Sequence, residues 1–160
     1  MKLDLTWGEL ARAAGGRLTH GDAAARVDVV CTDTRALRPG QAVWALVGEC
    51  VDAHQLLGEE LAKTASGWIV ATGRLKDGDH RPPQVVEVPD TLKALQALAN
   101  FHRKRFDIPG VAIVGSNGKT TTKEMLKSIC SKVGPVCATP GNWNNEIGVP
   151  LSVLELLPEH

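Results

Sequence analysis

Apolar and polar positions alternate in two rhythms along this chain. Thr6-Trp7-Gly8-Glu9 fits a capping box, with Thr6 as N-cap and Glu9 reaching back. A short helix through about Ala14 is expected, stopped by Gly15-Gly16. Residues 27–31 alternate weakly and read as a strand. Pro39-Gly40 marks a turn, and residues 41–47, with Trp44 among them, read as a second apolar strand. Residues 55–65 put Leu56, Leu57 and Leu61 on one side and predict a helix. Residues 67–71 and 84–88 read as two further strands, separated by a loop rich in Gly, Asp and Pro.

Pro89-Asp90 marks a change of character. Asp90 is placed to cap a helix over about 91–105, in which Leu92, Leu95, Leu98, Ala99 and His102 keep a helical period. The β-branched run 111–114 reads as a buried strand, Gly115 to Gly118 as a glycine-framed turn, and Lys119 to about Lys132 as a helix. Residues 134–138 read as one more strand, and 151–157 as the start of a helix. Strand–helix alternation of this kind implies a parallel sheet. The fold class expected is α/β: a small mixed α/β N-terminal domain over 1–88, then the opening of a P-loop parallel-sheet domain over 89–160. Two strands with their helices make only the start of a doubly wound domain. Completion by a partner or by further sequence is therefore expected.

Candidate chemistry concentrates in the turn at Gly115. Strand, glycine turn, Lys-Thr and helix form the arrangement that cradles a nucleotide triphosphate. A strict G-x-x-x-x-G-K-[ST] pattern wants a glycine where Ile113 stands, so the shorter G-x-x-G-K-T remains. Gly115, Ser116, Asn117, Gly118, Lys119, Thr120 and Thr121 are the candidate ATP-binding residues. Lys119 is placed to meet the β- and γ-phosphates, and the Thr120 hydroxyl to ligate Mg²⁺. A second constellation, Asn142-Trp143-Asn144-Asn145-Glu146, suits phosphate oxygens and a hydrated metal, with Glu146 as the carboxylate ligand. By itself it reads equally as an Asn-rich turn, and beside a phosphate loop the functional reading leads. In the first half, Asp33-Thr34-Arg35 and Asp52-Ala53-His54-Gln55 lie at strand-to-loop junctions. Spacing alone favours local caps for both, with Arg35 able to hold a diphosphate.

Composition narrows the partners. Lys+Arg and Asp+Glu are both 18 in 160 residues, so the formal charge is zero and a nucleic-acid partner has no support. The basic run His102 to Arg105 then reads as a solvated helix end rather than a nucleic-acid patch. Aromatics are sparse, with four Trp, two Phe and no Tyr, so single-strand stacking platforms are not expected. Four cysteines form no C-x-x-C pair, which points to a reducing compartment without zinc. Cys31 and Cys130 sit in apolar runs and are expected to be buried. No segment has membrane-spanning length, and a cytoplasmic location is expected. No Ser/His/Asp triad, nucleophilic cysteine setting or glycosidase-like carboxylate pair is legible.

Two strings together carry a resemblance. Gly115-Ser-Asn-Gly-Lys-Thr-Thr-Thr-Lys-Glu-Met125 and Asn142-Trp-Asn-Asn-Glu-Ile-Gly-Val-Pro-Leu151 resemble the Mur ligases of bacterial peptidoglycan synthesis. Within that family they look most like the branch that adds D-alanyl-D-alanine to UDP-N-acetylmuramoyl-tripeptide. Thr32-Asp-Thr-Arg35, Pro39-Gly40, Ala45-Leu46, Gly48 and Asp52-Ala-His54 follow the family's N-terminal pattern, with Thr34 in place of a serine and Ala53 in place of a glycine. The resemblance implies three domains, of which this chain holds the first and the beginning of the second.

It further implies that Thr34, Arg35, His54 and Gln55 lie near the UDP-sugar. Gly115 to Thr121 would hold ATP, and Thr120 with Glu146 would sit at Mg²⁺. The implied reaction phosphorylates the peptide carboxylate, and the acyl phosphate is then attacked by the amine of D-alanyl-D-alanine. A fragment of this extent is expected to be inactive alone. Two other readings stand beside it: a stand-alone module that binds UDP-sugar or ATP without turnover, and another P-loop phosphotransferase. The Asn-Asn-Glu string and the matching first half weigh against the last.

Overall fold

The computed structural model describes residues 2–48, 51–76 and 78–160. The chain forms two compact units, Met1–Leu98 and Ala99–His160.

The first unit is a six-stranded sheet. Its strands are β1 (Lys2–Thr6), β2 (Arg17–His20), β3 (Arg26–Cys31), β4 (Ala42–Trp44), β5 (Gly67–Ala71) and β6 (Val85–Val88), in spatial order β1-β3-β4-β5-β6-β2. The four central strands are parallel, and the edge strands β1 and β2 pair antiparallel. β4 is buried at every position and β5 at all but its last, the pattern of a parallel sheet covered on both faces. The two edge strands escape the sequence reading. Leu3 and Leu5 of β1 alternate with exposed Asp4, a signal too short to stand out. β2 shows no alternation at all.

The expected capping box closes the start of α1 (Trp7–Ala13): the Glu9 amide donates to Thr6 Oγ1 at 3.2 Å and the Thr6 amide to Glu9 Oε2 at 2.8 Å. Trp7, Trp44 and Trp68 are fully buried. Gly67 exists for Trp7: a Cβ there would lie 2.4 Å from the indole Cη2. Trp44 Nε1 donates to the Thr91 carbonyl at 2.8 Å, so this large apolar side chain is buried with its polar atom satisfied.

The helix expected over 55–65 is instead two pieces. Asp52 caps a 3-10 turn, Ala53–Leu56, and α2 runs Glu59–Thr64. Gly58 between them is fully extended, which a continuous helix does not allow. α3 (Thr91–Arg103) starts where expected, with the amides of Leu92 and Lys93 donating to Asp90 Oδ1.

The second unit carries α4 (Lys119–Cys130) and α5 (Gly148–Val153). The strands expected at 111–114 and 134–138 are not formed. Val111 and Val114 are 71% and 92% exposed. A strand needs a neighbouring ladder to satisfy its backbone, and the described residues of this unit supply none. Cys31 and Cys130 are half-buried rather than buried, and the Cys31 thiol donates to the Asp33 carbonyl at 3.0 Å. His102 faces the core as its period predicts, with Nε2 3.0 Å from the Leu156 carbonyl and its ring edge-on to Phe106. Burial pushes its pKa down. Arg103 turns back onto the carbonyls of Phe106 and Ile108, so half of the basic run serves the fold. Among the described residues no helix is long and apolar enough to cross a membrane.

Candidate nucleotide site

The glycine turn and α4 form one joint. Gly118 is the helix N-cap and takes a left-handed conformation, φ 77°, which a side chain would strain. The helical ladder begins with the Thr122 amide donating to the Gly118 carbonyl at 2.9 Å. The amides of Lys119, Thr120 and Thr121 therefore precede the ladder, and the helix N-terminus offers them to an anion. Lys119 curls back over the turn, with Nζ 2.5 Å from the Gly115 carbonyl and 3.3 Å from that of Ser116. Its ammonium thus stands over the turn that would receive phosphate. Ser116, Asn117, Thr120 and Thr121 are exposed.

The second constellation is tied to the same helix by a residue the sequence reading gave no role. Lys123 Nζ donates to the carbonyls of Thr139 (2.8 Å) and Gly141 (2.6 Å) and pairs with Glu124 Oε1 at 3.0 Å. Its side chain is only 16% exposed. The signal was present in its spacing, four residues after Lys119 and so on the same helix face. Beyond Gly141, Asn145 Oδ1 accepts from the Gly148 amide at 2.7 Å and starts α5. A Cβ on Gly148 would lie 2.7 Å from that of Trp143, so this turn requires the glycine. Asn145 thus has the structural role its turn chemistry suggests, while Asn142, Asn144 and Glu146 are exposed.

In the first unit, both candidate motifs lie past the carboxyl ends of parallel strands, where open α/β sheets take ligands. Thr34 to Ala36 forms a 3-10 turn after β3, capped by Asp33. Arg35 is 87% exposed and grips Asp33 through both carboxylate oxygens, at 2.9 and 2.8 Å. Hydrogen bonds from the Arg35 side chain and backbone hold the Asp33 carboxyl below its usual range, and Asp33 in turn raises Arg35.

Asp52 and His54, both largely covered, form a second network with the half-exposed Arg74. Asp52 Oδ1 takes the His54 amide at 3.0 Å and His54 Nδ1 at 2.6 Å, while Oδ2 meets Arg74 at 3.1 Å. His54 Nε2 accepts from the Ala71 amide at 2.9 Å, at the end of β5. That contact fixes the proton on Nδ1. Both ring nitrogens are therefore engaged, and the side chain is 4% exposed. His54 holds the turn in place, and exposed Gln55 is the member presented to solvent. Burial opposes the charge on Asp52. The hydrogen bonds from the His54 side chain and backbone, with the charge of Arg74, outweigh it and leave the carboxyl below its usual range.

Residues 113–160 match the Mur ligase middle domain. The UDP-N-acetylmuramoyl-tripeptide–D-alanyl-D-alanine ligase of Synechocystis sp. is 44% identical over 135 residues, covering 84% of this chain and 29% of the relative. The chain is thus similar in sequence to Mur ligases. It spans about a third of the length of the curated relatives it matches. A crystal structure of MurF from Acinetobacter baumannii superposes with a TM-score of 0.86 at 36% identity, covering 99% of this chain and 34% of that one. MurF ligase from Thermotoga maritima, in complex with ADP, gives a TM-score of 0.70 at 31% identity, covering 82% of this chain and 30% of that one. The mixed α/β architecture is thus that of the Mur ligases.

Proposed function

We propose that this chain contributes the UDP-substrate region (1–88) and the phosphate-gripping start of the ATP region (89–160) of a ligase. That ligase joins D-alanyl-D-alanine to UDP-N-acetylmuramoyl-tripeptide in the bacterial cytoplasm. The observation that carries the reading is the joint at Gly118, with the free helix start of α4 and the Lys119 ammonium above one exposed turn. These groups grip the phosphates of ATP while its γ-phosphoryl passes to the tripeptide carboxylate. The acyl phosphate so formed is opened by the D-alanyl-D-alanine amine, and phosphate leaves. The chain's own contribution is positioning and charge, as phosphoryl transfer requires.

Mg²⁺ fits the donors present. Thr120 and Glu146 offer one hydroxyl and one carboxylate, both exposed, and Mg²⁺ keeps most of its waters and takes few protein ligands. Bound there, it would neutralise charge on the transferring phosphoryl group. Among the described residues no group of three or more His, Cys, Asp or Glu forms a denser metal cluster.

Thr34, Arg35 and Gln55 are proposed to face the UDP-sugar, with His54 holding the turn. A diphosphate would draw the exposed Arg35 guanidinium from Asp33. Arg35→Ala is expected to weaken UDP-sugar binding by about 10- to 100-fold, the equivalent of ~1.5–3 kcal/mol for a charged hydrogen bond. Calorimetry checks this, and unchanged affinity would leave Arg35 a purely local cap. The 160 residues by themselves are expected to release no phosphate from ATP with both peptide substrates present. Robust release in that assay would mean that the chemistry needs nothing further.

A further inference from the structure

We propose that Lys123 is a positioning residue for the proposed phosphate and magnesium site. It sets the position of the Asn142–Glu146 segment on α4. Three observations carry this. The ammonium donates to two carbonyls, Thr139 O and Gly141 O, and pairs with the Glu124 carboxylate, so its donors and its charge are met by the protein itself. Its partners thus turn it toward the 139–141 turn, although it lies on the face of Lys119 and Thr120, four and three residues before it. The two carbonyls it gathers flank Pro140, and Gly141 is left-handed, φ 50°, which turns the chain immediately before Asn142. Within the segment the Trp143 amide donates to the Pro140 carbonyl, the Asn144 amide to the Asn142 carbonyl and the Gly148 amide to Asn145 Oδ1. Of the links described here between α4 and this turn, the Lys123 bridge is the charged one. A point charge with rotatable donors suits two converging carbonyls better than a planar guanidinium does.

The inference rests on the ligase reading above, and its test separates the two. Lys123→Met keeps the stem and removes the charge. In the full-length protein it is expected to raise the Mg²⁺ concentration needed for half-maximal activity by about 10- to 100-fold, as loss of an outer-shell partner does. The KM for UDP-substrate should stay unchanged, and excess Mg²⁺ should restore much of the rate. Without any turnover, amide exchange over residues 142–148 should speed up in the variant, and Mg²⁺-dependent ADP binding should weaken by a similar factor. Lys123→Gln, which keeps two donors without charge, should fall between the wild type and Lys123→Met. It also decides the matter if the Met variant does not fold.

Unchanged Mg²⁺ dependence and unchanged exchange over 142–148 would overturn the role of Lys123. So would a uniform loss that Mg²⁺ does not relieve. Lys119→Ala is the companion arm. If it is inactive while Lys123→Met is normal, the ligase reading stands and only the positioning role falls. If Lys119→Ala turns over normally, the reading beneath both has failed.

Discussion

Lys119→Ala is expected to reduce turnover of the full-length protein in the proposed ligase reaction by about 100- to 1,000-fold, the scale seen when one donor to a developing charge is removed. Two effects act on phosphate at this turn, and their sizes differ. The start of α4 contributes about 0.3–1 kcal/mol through its dipole, whereas a hydrogen bond from a full charge contributes about 1.5–3 kcal/mol. The ammonium therefore dominates, and substitutions that merely perturb the turn should do less. The fold should be indifferent. Lys119 donates to the carbonyls of Gly115 and Ser116, on a turn that is exposed throughout. Substitution at such a site changes stability by about 0.5 kcal/mol or less. Circular dichroism and thermal melting should thus match the wild type while phosphate release collapses. Near-normal kcat in a well-folded variant would remove Lys119 from phosphoryl transfer.

The contrast between this turn and its neighbours shows what a sequence carries. Gly118 and Lys119 were legible because their roles are local: a left-handed N-cap and a helix start need only adjacent residues. The capping box at Thr6 and the Asp90 cap were legible for the same reason. The strand at 111–114 was read from four apolar residues that do favour a pleated, buried surface. Burial, however, needs neighbouring strands, and a one-dimensional pattern does not say whether they are present. The helix over 55–65 failed at Gly58, a single backbone position, although its apolar period was sound. Lys123 was missed because its partners are backbone carbonyls sixteen and eighteen residues away, and no side-chain pattern announces a carbonyl. His54 is the reverse case. Spacing suggested a cap, family resemblance implied proximity to the UDP-sugar, and the structure shows how one residue serves the fold beside that proposed site.

That network yields the second large effect. Asp52→Ala is expected to destabilise the first unit by about 3 kcal/mol, because one substitution orphans both the His54 amide and its buried Nδ1–H, while the half-exposed Arg74 guanidinium falls back on water. In a domain of this size that corresponds to a melting temperature lower by about 10–25 °C. The pH dependence gives the effect a signature. The folded carboxyl lies below its usual range, so its contribution is fully present above the unfolded value near 4. It is lost as pH falls through the lower folded value. Melting curves of the wild type and Asp52→Asn should stay a constant distance apart from pH 7 to about pH 5, then converge in acid. A separation that persists unchanged to pH 2 would mean that the Asp52 charge is not what holds this turn. Binding should follow stability only in part. Gln55, carried on the loosened 3-10 turn, should lose its contribution to UDP-sugar affinity, while Arg35, capped separately by Asp33 after β3, should keep its own. Asp52→Asn and Arg35→Ala should therefore weaken UDP-sugar binding additively, since they act through separate turns with no shared partner.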